Sequence, residues 1–432
     1  MCASSINHSA SHSSSTLDVW HEDTGYEDST GYEDTILSAP YAWPGADKAA
    51  EAVPQQDVRR LIETPPKRAS LLRTNTMAAL PDLSRVAAPM VNQSDLPFRL
   101  LVRKHNASLT YTQMLDPERI LSSQDYLEFH QRGLGEGTDR PVVVQLCGND
   151  PKLVVEAARK FQGYCDGIDL NLGCPQEAAR DGHYGAYLLG QKDWPLNETM
   201  ISALSHSVTV PVSAKLRLCQ PATKTLELAQ RLERAGASWI TLHARTVSAR
   251  RRRQGAADLT YVRTLKEGLQ IPVLNNGNVR TWEDVEANME LTGADGVMVG
   301  ETLLGNPCLF ENEIPDPVRI SLEYLDMCRE HPDTATLQTI QTHVRHFVEF
   351  QCGRRPWFHK FRSTLSQCKD VDEIDKLLRR RVQRWRGATA VSLDDDDTDS
   401  NLEDCRGHRS ADCGEADPVA IENLGLDLPV LS

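Results

Sequence analysis

The sequence predicts an α/β protein built on a (β/α)8 TIM barrel, followed by a small C-terminal helical domain. The first observation is a set of eight short apolar runs typical of strands. The second is that helix-like segments separate these runs, which predicts parallel β–α–β units. Eight such units over roughly 230 residues match a barrel. A doubly wound sheet is the alternative, but no G-x-G-x-x-G follows the first strand. The predicted strands cover 85–90, 109–114, 142–146, 168–172, 212–218, 239–242, 271–274 and 297–299.

Capping residues mark several of the helix-like segments. Asp95, Asp150, Thr223 and Thr281 each precede such a segment as predicted N-caps, and Gly293 follows the last of these segments. Asp and Thr side chains accept hydrogen bonds from the first backbone N–H groups of a helix. Glycine readily adopts the left-handed conformation that ends one. These signals predict helices between the strands.

The chain divides into four predicted segments. Residues 1–78 are rich in Ser, His and acidic residues and contain the tandem hexapeptide TGYEDS-TGYEDT at 24–35. Such a composition buries too little apolar surface to offset the entropy of ordering, so this segment is predicted to be disordered. Residues 79–310 form the predicted barrel and 311–386 the helical domain. The acidic tail, 387–432, is again predicted to be disordered.

Charge is distributed unevenly along the chain. The formal net charge is −14, but residues 1–50 carry −7 and residues 387–432 carry −10, which leaves +3 on the middle of the chain. Residues 345–386 hold twelve Lys and Arg against five acidic residues. A basic helical face is often only a solvated face, although it also suits a polyanion such as nucleic acid.

Cysteine usage indicates the compartment. The eleven cysteines are scattered, without paired spacings, which favours free thiols in a reducing compartment. We expect the cytoplasm, with the nucleus as the alternative, and no metal. The one metal-like cluster, Cys405, His408 and Cys413, has too few ligands for structural zinc. No apolar run approaches the length of a membrane span, so no membrane partner is expected.

Polar side chains follow the strands at their carboxyl ends, where a TIM barrel places its functional residues. Cys174 lies after the fourth strand in Gly-Cys-Pro, although a lone cysteine is often a buried, inert thiol. Glycine-containing loops after strands seven and eight are typical of a barrel phosphate site. Together these residues predict a phosphorylated cofactor on the rim, with Cys174 facing it. The other candidates are Gln145, Lys215, His243, Asn276, Gly277, Asn278, Gly300 and Glu301.

Seven motifs make this array specific. They are APMVNQSDLPFR at 88–99, LNLGCPQ at 170–176, RDGHYGAYLL at 180–189, AKLRL at 214–218, LHART at 242–246, NNGNV at 275–279 and GE..LGNP at 300–307. In order and spacing they resemble the tRNA-dihydrouridine synthases. GHYGA resembles the tRNA-dihydrouridine(16/17) synthase [NAD(P)(+)] subfamily. The resemblance covers about residues 82–386.

The resemblance implies FMN as the cofactor and NADPH as the reductant. Backbone groups of Pro89, Met90 and Val91 are then expected to meet the flavin. Side chains of Gln145, Lys215 and His243 are expected to contact its ring and ribityl chain. The residues expected beside the phosphate are Asn276, Gly277, Asn278, Gly300 and Glu301. A carboxylate beside a phosphate is unfavourable. At Glu301 we therefore expect backbone amides to bind the phosphate.

The resemblance also implies the reaction. Reduction of the carbon 5–carbon 6 bond of a uridine in the D-loop of tRNA takes a hydride from reduced FMN and a proton from the thiol of Cys174. The helical domain is then a tRNA-binding domain. Such an enzyme is expected to bind tRNA and NAD(P)H and to act as a monomer.

Two other functions stay open from the sequence. One is an FMN-dependent reductase or dehydrogenase of free pyrimidines, which would not need the basic helical domain. The other is a non-catalytic tRNA-binding protein that keeps the fold, against which the presence of Cys174, Lys215 and His243 argues.

Overall fold

The computed structural model describes residues 80–248 and 255–387, and eight parallel strands form a closed barrel in chain order. Every strand pairs with its sequence neighbours, and β1 pairs with β8 through Val86 and Met298 to close the barrel. This confirms the predicted (β/α)8 barrel, and each predicted run overlaps one of these strands. They are β1 (Arg85–Ala87), β2 (Leu109–Leu115), β3 (Val142–Leu146), β4 (Gly167–Leu172), β5 (Val212–Arg217), β6 (Trp239–His243), β7 (Val273–Asn276) and β8 (Gly296–Val299).

In the part of the chain that the structure describes, helices follow each strand and surround the barrel, and five more come after it. Those of the barrel are α1 (Leu96–Lys104), α2 (Pro117–Ser122), α3 (Gln124–Arg132), α4 (Pro151–Phe161), α5 (Glu177–Asp181), α6 (Trp194–Ser207), α7 (Thr225–Arg234), α8 (Thr260–Gly268), α9 (Trp282–Thr292) and α10 (Glu301–Gly305). Those after the barrel are α11 (Pro317–Glu330), α12 (Leu337–Cys352), α13 (Phe358–Leu365), α14 (Val371–Lys376) and α15 (Gln383–Trp385), with a π-helical turn at Leu377–Val382.

Three of the four predicted N-caps are confirmed. Asp95 Oδ1 accepts from Phe98 N at 3.1 Å, and Asp150 Oδ1 accepts from Lys152 N at 2.8 Å. Thr281 begins α9 with a capping box, and Gly293 ends that helix at φ 63°.

The fourth predicted N-cap, Thr223, is wrong by one residue, because Lys224 occupies the N-cap position of α7. A 3-10 turn at Ala222–Lys224 precedes α7, which begins at Thr225. The Thr225 hydroxyl accepts from Cys219 N at 3.0 Å and donates to Ala222 O at 2.7 Å. Tertiary hydrogen bonds to the end of β5 therefore set the start of this helix.

Strand alternation divides the barrel side chains into two sets. Outward-facing residues such as Leu170, Ala214 and Ile240 are fully buried in the core against the helices. Most inward-facing residues near the amino ends are apolar, and they include Trp239, whose Nε1 donates to Tyr111 Oη at 3.0 Å. Polar inward-facing residues come later along the strands, so the barrel has an apolar floor and a polar rim.

The segment after the barrel is helical, as predicted, and it packs against α1. Phe98 of α1 stacks on His343 of α12 with ring centroids 4.5 Å apart. Asp95 accepts hydrogen bonds from Tyr324 Oη at 3.1 Å and from His343 Nε2 at 2.7 Å. One apolar core spans both regions. The proposed boundary between 310 and 311 stays a prediction.

Several sequence features lie outside the described residues. These are the N-terminal segment 1–78, the acidic tail beyond residue 387, the Cys405–Cys413 cluster and the basic run at 250–253. Within 80–248 and 255–387, no helix is long and apolar enough to cross a membrane.

Candidate active site

A cavity opens at the carboxyl end of the barrel. It is bounded by the loops after β1, β7 and β8 and by side chains from the ends of β5 and β6. Nine of the eleven predicted cofactor-binding residues line it, although 212 positions separate the first from the last. Those nine are Pro89, Met90, Lys215, His243, Asn276, Gly277, Asn278, Gly300 and Glu301.

The other two predicted residues lie away from the lining of this cavity. Val91 is 45% exposed, on the turn after β1. Gln145 is only 1% exposed and points into the barrel, where its amide is held by Asp169 and Asn171. Burial of the Gln145 side chain among protein partners indicates that it supports the rim from below.

Two glycines allow the loops to approach closely. Gly277 has φ +121°, and a Cβ there would lie 2.9 Å from Ala257 Cβ and 3.4 Å from His243 Cδ2. A Cβ at Gly300 would lie 3.3 Å from Ala88 Cβ. Side chains at these two positions would therefore push apart the loops that frame the cavity.

The two asparagines beside Gly277 hold loops in place. Asn276 Nδ2 donates to Met298 O at 2.7 Å. Asn278 Nδ2 donates to Ala257 O at 2.7 Å, and its Oδ1 accepts from Ala257 N at 2.8 Å. Because these amides already have protein partners, Asn276 ties the end of β7 to β8, and Asn278 ties the loop after β7 to the loop after β6.

Cationic side chains are concentrated at this rim. Burial and the charge of Arg217 lower the pKa of Lys215 to about 8, while the charge of Asp169 opposes the shift. Burial and the charge of Arg245 lower the pKa of Arg217 to about 10. Burial and all three cations lower the pKa of His243 well below its usual range, so its imidazole is neutral. Lys215 and Arg245 line the cavity together with one carboxylate, Glu301, so the cavity carries a net positive charge and is suited to an anionic ligand.

Cys174 lies on the loop after β4, and two neighbouring segments fix its backbone. Asn171 Oδ1 accepts from Gly173 N at 3.0 Å and from Cys174 N at 2.9 Å. The carbonyl of Cys174 accepts from Ala186 N at 3.0 Å. At Gly185, where φ is +64°, a Cβ would lie 3.0 Å from the same carbonyl oxygen. The segment that carries the RDGHYGAYLL motif, 180–189, therefore packs directly against the cysteine.

The Cys174 side chain is half-buried and protonated at neutral pH. Burial raises the pKa of its thiol, and the nearby charges of Arg217 and Lys215 only partly oppose that rise. It packs against a small buried cluster that contains Cys147 and Tyr184. A protonated thiol with cations nearby can give up a proton, because those cations stabilise the thiolate that remains.

Sequence reasoning assigned no role to four residues that the structure places in or under the site. Arg245 and Thr302 line the cavity. Asn171 holds the cysteine loop, and Asp169 lies inside the barrel, fully buried. The period-2 alternation of β4 could have identified Asp169 and Asn171, because it places both on the inward face. The sequence signal that could have identified Arg245 is its position two residues after His243.

Comparison with known proteins agrees with this geometry. The model of the family described as dihydrouridine synthase (Dus) matches residues 85–389, well over half of the chain. The chain is 41% identical over 259 residues to the mouse tRNA-dihydrouridine(16/17) synthase [NAD(P)(+)]-like protein, covering 60% of this chain and 54% of that one. It is 41% identical over 266 residues to the rat protein of the same name, covering 62% and 60%.

A yeast relative extends the comparison. The chain is 35% identical over 294 residues to tRNA-dihydrouridine(16/17) synthase [NAD(P)(+)] of Saccharomyces cerevisiae, covering 66% of this chain and 69% of that protein. The chain thus spans a little over half the length of the two rodent relatives and about two thirds of the yeast one. With the barrel, its rim and this match over residues 85–389 in agreement, the chain belongs to the dihydrouridine synthase family.

Proposed function

We propose that this protein is a flavin-dependent tRNA-dihydrouridine synthase. It reduces the carbon 5–carbon 6 double bond of a uridine in the D-loop of tRNA, with NAD(P)H as the source of electrons. The observation that carries the proposal is the joint placement, at one end of the barrel, of a protonated thiol and a cationic cavity framed by glycine loops. The names of the rodent and yeast relatives point to the same reaction.

The residues of the cavity fit FMN. Its phosphate would lie by the loops at Gly277 and Gly300, within the positive field of Arg245. Its ring system would lie against Met90, with Lys215 and His243 beside it. Lys215 can hold negative charge that the ring gains on reduction, and neutral His243 is available for hydrogen bonding. When bound, reduced FMN supplies the hydride that goes to carbon 6 of the uracil.

Cys174 supplies the proton to carbon 5. Burial keeps its Sγ protonated at neutral pH, so the acid is present in its reactive form. Asn171 accepts from the backbone N–H of Cys174 and Ala186 donates to its carbonyl, which fixes the backbone that carries the thiol. Once the proton has left, the charges of Lys215 and Arg217 favour the thiolate.

The helical segment 311–386 is the proposed tRNA-binding domain. Its last turns expose Arg380, Arg381 and Arg384, while the apolar residues Leu378 and Val382 of the same stretch are buried. This arrangement turns the basic side chains outward from a packed helix end, as contact with a phosphate backbone requires. The target uridine has to leave its stack to reach the barrel rim.

The direct test uses purified full-length protein with tRNA that lacks dihydrouridine. We expect a yellow protein with flavin absorbance and NADPH-dependent formation of dihydrouridine, measured by mass spectrometry of digested tRNA. Parallel reactions contain free uracil or orotate. Reduction of the free pyrimidines without reduction of tRNA would establish the first alternative function. Tight tRNA binding by a protein that takes up no flavin would establish the second.

A second prediction concerns pH and cofactor binding. The pKa of Lys215 lies at about 8, so its side chain is charged below that pH and loses its charge above it. An anionic ligand at the rim favours the charged form, so binding must take up a proton above pH 8. We therefore expect the affinity of flavin-free protein for FMN to fall as pH rises above about 8, by up to about tenfold per pH unit.

Fluorescence quenching of FMN between pH 6.5 and 9.5 measures this dependence. Lys215→Met is the matched variant, since it keeps the length of the side chain and removes the titrating group. We expect weaker binding by this variant, with a flat profile through pH 8 to 9. An equally steep decline in Lys215→Met would exclude Lys215 as the titrating group.

A further inference from the structure

A chain of hydrogen bonds inside the barrel connects a buried carboxylate to the backbone of the cysteine loop. Gln145 Nε2 donates to Asp169 Oδ2 at 2.8 Å. Asn171 Nδ2 donates to Gln145 Oε1, also at 2.8 Å. Asn171 Oδ1 in turn accepts from Gly173 N at 3.0 Å and from Cys174 N at 2.9 Å. This chain of hydrogen bonds thus runs from Asp169 in β4 to Gln145 in β3. It then returns to Asn171 in β4 and reaches the loop after β4.

Every hydrogen bond in this chain points toward Asp169. An ionised carboxylate only accepts, so the amide of Gln145 must present its NH2 group to Asp169 and its oxygen to Asn171. Asn171 must then present its own NH2 group to Gln145, which leaves its oxygen for the loop N–H groups. Burial raises the pKa of Asp169 to about 6, and the carboxylate is therefore ionised at neutral pH.

All three side chains of the chain are buried. Relative exposure is 0% for Asp169, 1% for Gln145 and 8% for Asn171. Burying a carboxylate is costly unless hydrogen bonds and charges offset the loss of water. Here Ser213 Oγ donates to Asp169 Oδ1 at 2.6 Å, and the charge of Lys215 favours the ionised form. Asp169 does not line the cavity, so it acts through its neighbours.

We propose that Asp169 is a positioning residue, which fixes the loop bearing Cys174 through Gln145 and Asn171. The proposal rests on the proposed function of Cys174 as the proton donor. Its consequence is that Asp169, a carboxylate in the barrel interior, determines the orientation of Asn171. Asn171 Oδ1 is the acceptor for the Cys174 N–H. Without that carboxylate, the Gln145 amide loses its fixed orientation and Asn171 loses the partner that orders it.

Amide hydrogen exchange in flavin-free protein tests the chain directly. In Asp169→Ala we expect exchange at the amides of Gly173 and Cys174 to become about tenfold faster, the scale of one lost hydrogen bond. Exchange in the other strands should stay at the wild-type rate. Gln145→Met breaks the middle of the chain and should give the same local change, which keeps the test available if Asp169→Ala does not fold.

Ser213→Ala is the matched control. It removes the hydrogen bond to the other oxygen of Asp169 and leaves the chain to the loop intact, so exchange at Gly173 and Cys174 should be unchanged. In turnover assays of the holoenzyme, we expect Asp169→Ala to lower kcat for tRNA reduction while KM for tRNA stays the same. Replacing a residue needed only for stability would not lower kcat while leaving KM for tRNA unchanged.

Two results would overturn the proposal. One is an amide exchange rate at Gly173 and Cys174 that stays within twofold of wild type in whichever of Asp169→Ala and Gln145→Met folds. The other is faster exchange spread evenly over the whole barrel. Failure of the proposed function is separate: a wild-type protein that reduces no tRNA would refute the synthase activity, whereas the exchange measurements would still decide whether Asp169 holds the loop.

Discussion

Replacing Cys174 with alanine is expected to leave FMN bound and to lower tRNA reduction by a factor of about 10²–10⁴, the usual contribution of a positioned acid. Cys174 does not line the proposed cofactor cavity, so its replacement leaves the residues that frame this cavity in place. Its backbone is held by Asn171 and Ala186, which the substitution leaves unchanged. Flavin absorbance and dihydrouridine formation, measured on the same preparation, check both parts.

Cys165→Ala provides the control. Cys165 is a fully buried free thiol just before β4, at the opposite end of the strand that leads to Cys174. We expect this variant to keep wild-type turnover. Wild-type turnover in Cys174→Ala would remove Cys174 from the mechanism, and loss of flavin in that variant would assign it to cofactor binding.

Neutralising the basic end of the helical segment is expected to weaken tRNA binding and to flatten its salt dependence. The variant combines Arg380→Gln, Arg381→Gln and Arg384→Gln, three exposed residues. Each lost phosphate contact lowers the slope of log affinity against log salt by about 0.7–0.9, so three contacts lower it by about 2–3. Filter binding or fluorescence anisotropy measures this change. The salt concentration is varied between about 50 and 300 mM, where such slopes are determined.

The control removes the same number of charges from the outside of the barrel. Lys152, Arg159 and Lys160 are exposed on α4, and their change to glutamine should leave the slope at its wild-type value. Reduction of the flavin by NADPH should be unchanged in both triple variants, because neither touches the cavity. An unchanged tRNA affinity and slope in the Arg380, Arg381 and Arg384 variant would contradict the proposed binding surface.

The sequence by itself determined the barrel and which strand ends form its rim. Alternation of apolar runs with capped helices predicts eight parallel units, and a closed parallel barrel brings all the carboxyl ends of its strands to one side. Lys215, His243 and Gly277 could therefore be placed together without any knowledge of distances. Local chemistry was enough for the caps at Asp95 and Thr281, because an N-cap acts on backbone two or three residues away.

Only the tertiary structure decided which partner each polar side chain takes. Asp169 bonds Ser213, which lies 44 residues further along the chain, and Asn278 bonds Ala257, 21 residues away. Such pairs depend on the register between strands and on the path of loops, which no local pattern encodes. For the same reason the hydrogen bonds of Gln145 to Asp169 and Asn171, and with them the buried chain from Asp169 to Cys174, became visible only in three dimensions.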